Sequence, residues 1–253
     1  VIENGRLVPV EPAPQLPQHW AGVVRPLDVL LSVASSGGYF TSSTDDDGVI
    51  RKYVTVGAVG ASNFASLGIA TLARTLGPEG QVARVTPIAK VRGSRFLQAV
   101  RLGDVTVDVD DAGFAYLNYY GQYRDFPTWS ATDLLHGRIP ADQMRGKVAV
   151  VGTTAVATWD QRVTPFDAFA PGVITHATFM ENVLRGELLV RTQTVVVAEV
   201  VVLILTAFAL ALLFSRVSSL LSAPALVVAA GVTAGTGVVA LQRWNLLLAV
   251  ALP

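Results

Sequence analysis

Asp45, Asp46 and Asp47 stand side by side and are followed by Gly48. Carboxylate oxygens in such number suit a hard cation, and Asp45 and Asp47 are the candidate ligands. A calcium loop, however, spaces its ligands at alternate positions and closes on Glu, and this stretch does neither. It reads instead as a tight turn that Asp tolerates and Gly48 completes with positive φ, with an Asp paired to Arg51. No metal and no cofactor is expected. The second cluster is Gly152, Thr153 and Thr154, directly after the apolar run Val148, Ala149, Val150 and Val151. Open α/β sheets place ligands at the carboxyl ends of such strands, and two hydroxyls beside a glycine offer hydrogen bonds and close backbone approach. His176 and Asn118 complete the candidate ligand set. His176 lies at the edge of a helical apolar stripe, where a hydrogen-bonded boundary histidine is the simpler reading; facing solvent, it would titrate near neutral pH.

Signatures of catalysis are missing. Gly146-Lys147 is followed by Val148 and lacks the upstream glycine of a phosphate-binding loop. There is no HExxH zinc helix and no GxSxG nucleophile elbow. His19, His136 and His176 are scattered. No catalytic residue is assigned.

These groups must be positioned by an alternation of helices and strands. Four prolines at 9, 12, 14 and 17 predict an extended lead-in. A short helix is expected from Pro26, with Leu27, Leu30, Leu31 and Ala34 on one face. Residues 49–56 are β-rich. Residues 65–76 carry helical spacing and stop at Gly77 and Pro78. Two strands, 96–100 and 105–109, flank a turn at Gly103-Asp104. Residues 114–119 read as an aromatic strand, in which packing explains Tyr116 and Tyr119, and Tyr120 and Tyr123 beyond it, more simply than ligand stacking. A helix starts at Ser130 and ends at Gly137. Continuous apolarity over 148–151 predicts a strand buried on both faces. A helix over 173–185 carries Val173, Ala177, Met180 and Leu184 as its stripe and stops at Gly186. The expected class is α/β, a mixed, mainly parallel sheet flanked by helices.

The last quarter of the chain is different in kind. Residues 195–214 contain a single charge, Glu199, over the length a helix needs to cross about 30 Å of hydrocarbon. A second run spans 220–241, and a third starts at 246 and is cut off at Pro253. Residues 1–193 are thus expected to form one domain and 194–253 transmembrane helices. Glu199 lies one turn inside the first span, where water at the interface or a polar contact between helices would relieve its cost. Gly231 and Gly235 stand four residues apart among further small residues, a spacing that lets helices approach closely. Glu199, Gly231 and Gly235 are the candidate relay residues.

Charge and cysteine narrow the function. The chain carries 19 Lys+Arg and 19 Asp+Glu, a balance without the footprint of a nucleic-acid binder. It has no cysteine, which removes disulfides and thiolate metal sites. Val1 is not an initiator and the last residues fall inside an apolar run, so both ends read as cut from something longer.

Several phrases in order carry a resemblance to a known family. They are DDDGVIRKY, SLGIATLART, LNYYGQYRDFPTWSATDLLHGRIP, RGKVAVVGTTA and DQRVTPFDAFAPGVITHATFMENVLRGELLVR, followed by closely spaced spans. Together they resemble the second type of CHASE domain (cyclases/histidine kinases associated sensing extracellular). The resemblance implies a domain outside the cytoplasm, periplasmic or extracellular, followed by about three membrane helices and an intracellular output: a nucleotide cyclase, a histidine kinase or a Ser/Thr kinase. It also implies an unidentified small-molecule or protein stimulus, a bilayer as partner and, for a paired output, a homodimer. The family pattern opens earlier, so the first one or two core strands are expected to be missing here. Tyr120 stands where that pattern carries a basic residue. A transport component and a membrane-tethered hydrolase are the rivals. The first lacks ionisable groups at mid-bilayer, and the second lacks its motifs.

Overall fold

A computed structural model describes residues 2–3, 6–7, 18–34, 36–60, 62–76, 83–87, 97–110, 112–155, 160–191, 193–216 and 219–248. The proline-rich lead-in at 8–17, the stop at Gly77 and Pro78, Phe96 and the remainder of the third apolar run at 249–253 lie outside these residues.

Elements follow in chain order: β1 (Ile2–Glu3), β2 (Arg6–Leu7), β3 (His19–Trp20), α1 (Asp28–Leu31), β4 (Lys52–Val54), β5 (Val56–Val59), β6 (Ser62–Ala65) and α2 (Leu67–Thr75). Next come β7 (Ala83–Pro87), β8 (Leu97–Leu102), β9 (Val105–Asp108), β10 (Phe114–Tyr116), α3 (Ala131–Leu135) and α4 (Ala141–Met144). The chain continues through β11 (Gln161–Arg162), β12 (Ala170–Pro171), α5 (Val173–Arg185), α6 (Gln193–Phe214) and α7 (Ser219–Trp244). The class is mixed α/β with small sheets, followed by two long apolar helices.

The strands form one five-stranded sheet in the order β1-β2-β6-β5-β3, a three-stranded sheet β7-β8-β9, and two-stranded pairs β10-β4 and β11-β12. A mainly parallel sheet is not confirmed. Among the named strands described, only β3 and β5 pair in parallel; the other ladders are antiparallel. The short links explain this: β5 turns into β6 just after Gly60, and β8 into β9 at Gly103, both with positive φ. A tight turn joins only antiparallel neighbours, since a parallel pair needs a crossover of a dozen or so residues.

The core is built where α2 and α5 pack over β4, β5 and β10. Ile50, Val56, Ile69, Leu72, Val100, Leu102, Val107 and Phe179 are fully buried there. Ser66 caps α2, its Oγ accepting from the Ile69 N–H. Gly186 ends α5 in the left-handed conformation at φ 69°, and the Glu187 N–H returns to the Asn182 carbonyl at 2.8 Å.

Three expected faces are corrected. Helix α1 is only four residues long, and Leu27 and Leu30 are exposed. The buried side of α5 is Ile174, Thr175, Thr178, Phe179, Met180, Asn182 and Val183, while Leu184 is exposed. The real stripe includes polar residues, which a purely apolar wheel passes over. The third case is 148–151, which does not pair as a strand. Val148 and Val150 pack against the core, but Ala149 faces solvent and Val151 is 84% exposed. One face is covered, not two, because no described strand lies beside it.

Helices α6 and α7 contain segments long and apolar enough to cross a membrane, Val195–Phe214 with 20 residues and Ala223–Trp244 with 22. The second window lies three residues later than the periodicity alone suggests. Both present apolar side chains outward, including Leu203, Ile204, Phe208, Val227 and Val232. Neither is a buried core helix. Residues 245–248 are not helical: Leu246 bridges to Val190, so the third apolar run begins in contact with the domain.

Candidate functional site

Tyr53 sits at the centre of the domain. The pleat of β4 turns it inward, where it is only 4% exposed. Its ring stacks on Phe179 of α5, with centroids 4.0 Å apart and planes at 11°. Its Oη accepts the Gly68 N–H at 2.9 Å, in the first turn of α2. The same hydroxyl shares a hydrogen bond with His176 Nδ1, at 2.7 Å. Glycine is required at 68, because a Cβ there would lie 2.5 Å from the Phe179 ring and 2.8 Å from the Tyr53 hydroxyl. Burial pushes the Tyr53 hydroxyl up to about 12, against hydrogen bonds from Gly68 and Ser66 that pull the other way.

His176 is the half-buried histidine expected at the helix boundary. Burial lowers its pKa, and the nearby Asp160 carboxylate offsets this in part. Gly152 lies against the start of the same helix, where a Cβ would come 2.5 Å from Val173. Thr153 and Thr154 follow, exposed. The structure therefore sets Gly152 against Val173 at the start of α5, the helix that carries His176 three residues on.

Asn118 lies elsewhere, beside Asn182, roughly 9 Å further along the helix axis. The Asn182 side chain is completely buried. Its Oδ1 accepts the Asn118 N–H at 2.9 Å, and its Nδ2 donates to the Asn118 carbonyl at 2.9 Å and to Tyr120 Oη at 2.8 Å. One carboxamide thus takes the place of a neighbouring strand. Asn118 takes part through its backbone. Tyr120 Oη donates in turn to Glu187 at 2.7 Å, and burial together with that carboxylate pushes its hydroxyl up to about 12.

Asp45 and Asp47 are occupied by cations of the chain itself. Arg51 reaches Asp45 at 3.2 Å and Asp47 at 2.9 Å, and Lys52 reaches Asp45 at 3.0 Å. The Arg51 guanidinium holds the Asp47 carboxyl below its usual range. The turn closes as expected, with the Gly48 N–H on the Asp45 carbonyl and φ 82° at Gly48. Among the described residues, no group of three or more His, Cys, Asp or Glu side chains is placed to hold a metal ion.

At the junction with the long helices, a backbone ladder runs out of the domain. Leu189 bridges to Tyr116 of β10, and Val190 to Leu246 after α7. The Val190 N–H donates to the Asn245 carbonyl at 2.7 Å, and the Leu247 N–H to the Val190 carbonyl at 3.0 Å. Asn245 takes positive φ, 54°, to make the turn. Arg191 donates to the Leu247 carbonyl at 2.8 Å and pairs with Glu199 at 3.6 Å. Glu199 is thus largely buried against a cation, rather than left to interfacial water. Gly231 and Gly235 have no neighbour within 4 Å of a Cβ position, so α6 does not use their small face.

A family model described as the CHASE2 domain matches residues 2–214. The chain belongs to the CHASE2 family. The match covers the folded domain and runs to Phe214, the last residue of α6. CHASE2 is a sensory extracellular domain of signalling receptors, a sensor rather than a catalyst. Comparison with curated proteins and with solved structures finds no significant match.

Sequence reasoning missed Tyr53, Asn182, Glu187 and Arg191. Asn182 left a signal, a carboxamide on the buried side of a helix. The Arg191–Glu199 pair left one too, opposite charges two turns apart at the edge of an apolar span.

Proposed function

We propose that this CHASE2 domain is the input half of a bacterial multi-pass receptor in the cell membrane. In this reading a small-molecule or protein stimulus binds outside the cytoplasm and α6 carries the change to a cytoplasmic output. That output is most simply an adenylate or guanylate cyclase, otherwise a histidine or Ser/Thr kinase, working as a homodimer. The observation that carries the reading is the junction. Only 186–192 separates α5 from α6, and that link is tied to β10, to Glu199 and to the chain after α7. A stimulus that favours one arrangement of the domain therefore shifts the arrangement of the spans. Gly152, Thr153, Thr154 and His176 at the start of α5 are the proposed receiving site, and Glu199 the proposed relay.

Two experiments test this. In a cysteine-free background, Leu135→Cys should react with an impermeant maleimide from outside the cell, and Ser215→Cys should not; reversed labelling overturns the orientation. In the full-length protein, Glu199→Gln should uncouple output from stimulus at unchanged membrane abundance. A full-length protein carrying no effector on the cytoplasmic side overturns the reading.

A further inference from the structure

Among the described residues, the backbone of 148–154 makes no hydrogen bond. Over 148–151 its burial nevertheless alternates with the period of a strand, Val148 and Val150 in, Ala149 and Val151 out, and 152–154 are exposed. A row of N–H and C=O groups without protein partners on a core-packed segment is an open edge that another extended backbone completes. We propose that residues 148–154 of a second copy of this chain pair with it, antiparallel, about a two-fold axis at Val151.

Three features select a copy of the same segment in that direction. The stretch is uncharged, free of proline and rich in valine, the composition that favours self-pairing of strands. Arg145 and Lys147 stand at one end, while Gly152, Thr153 and Thr154 close the other. Antiparallel pairing sets the cationic end of each copy beside the uncharged end of the other, whereas parallel pairing stacks like charges. Opposed residues in an antiparallel pair share a face, so the core-facing Val148 and Val150 must meet positions of the same parity. A two-fold at Val151 does this, with Val150 opposite the partner's Gly152 and Val148 opposite the partner's Thr154. It uses the whole open stretch and covers Val151 with the partner's Val151. The membrane adds to this by holding both copies at one height, which raises their effective concentration. The inference rests on the homodimer in the proposed function and names its interface.

The lack of native thiols makes the test clean. Directly opposed residues lie about 4.5–5.5 Å apart at Cα, within disulfide reach. Val151→Cys in the full chain, reconstituted in lipid nanodiscs or native membranes, should oxidise to a covalent dimer. Val24→Cys, at a position 98% exposed, should remain mainly monomeric. Val151→Lys, a surface change that leaves the fold intact by circular dichroism, should weaken the dimer about tenfold. A dimer that forms without the Val151→Cys cross-link overturns this interface and leaves the dimer reading standing. Amides of 148–154 already protected from hydrogen exchange in dilute monomer overturn it as well, because the strand then comes from the same polypeptide. A chain monomeric at every concentration overturns both.

Discussion

Around Tyr53 the chain closes on itself. β4, α2 and α5 meet there through an aromatic stack, a hydrogen bond to a helix amino terminus and a hydrogen bond to His176. Residues 121–155 contain comparable side chains, including Phe126, Leu134, Leu135, Val150 and Val151, yet none of them is buried. α3 and α4 contribute no buried residue at all. Both regions are apolar enough to build a core, and only the first does. Helices α3 and α4 satisfy their own main-chain groups and simply lie outside the core; at 148–154 the difference is backbone satisfaction. Around Tyr53 neighbouring strands and the buried Asn182 carboxamide take up the main-chain groups, and the side chains there are enclosed. From 148 to 154 nothing takes them up, and the surface stays open. The closed region holds the fold, and the open one leaves its side chains and the backbone of 148–154 exposed.

The widest gap between the regions should appear on truncating a side chain in each. Phe179→Ala, in a fully buried ring stacked on Tyr53, should cost about 3–5 kcal/mol in urea unfolding of the full chain in detergent. Next comes Asn182→Ala, which strips the Asn118 N–H and C=O and the Tyr120 hydroxyl of their partner. It should cost about 2 kcal/mol and speed hydrogen exchange at the Asn118 amide.

A gentler probe of the closed region is pH. Burial holds the folded-state pKa of His176 below the ordinary 6.5, so the folded state prefers the neutral ring. This contribution is flat above that pH; stability falls as pH drops through it and levels off below the lowered value. His176→Gln should remove that segment of the stability–pH curve, leaving the carboxylate-dependent part in place. Leu135→Ala, 86% exposed on α3, should change stability by less than about 0.5 kcal/mol. A loss there as large as at Phe179 would mean that α3 is packed, and would erase the contrast.

Local signals carried much of the fold. The Asp45–Gly48 turn, α2 with its Ser66 cap, the β8–β9 hairpin at Gly103 and α5 with its glycine stop are all set by residues within a few positions of one another. Sheet direction and the unpaired state of 148–151 were not legible in the same way. Both depend on which segment lies alongside, and periodicity does not encode that. The candidate site divides similarly. Gly152 lies against Val173 at the start of the helix that carries His176, whereas Asn118 is held by a residue 64 positions distant in the chain. Asn182 has no local signature beyond being a polar group on an apolar side.

The bridge from Tyr116 through Leu189 and Val190 to Leu246 has a mechanical meaning. It ties the top of the outgoing leg of the helical hairpin and the top of the returning leg to one sheet edge. Sliding either leg along its own axis tears backbone hydrogen bonds, whereas leaning the two legs together breaks none. The two legs are therefore coupled to each other and to β10 through main-chain hydrogen bonds.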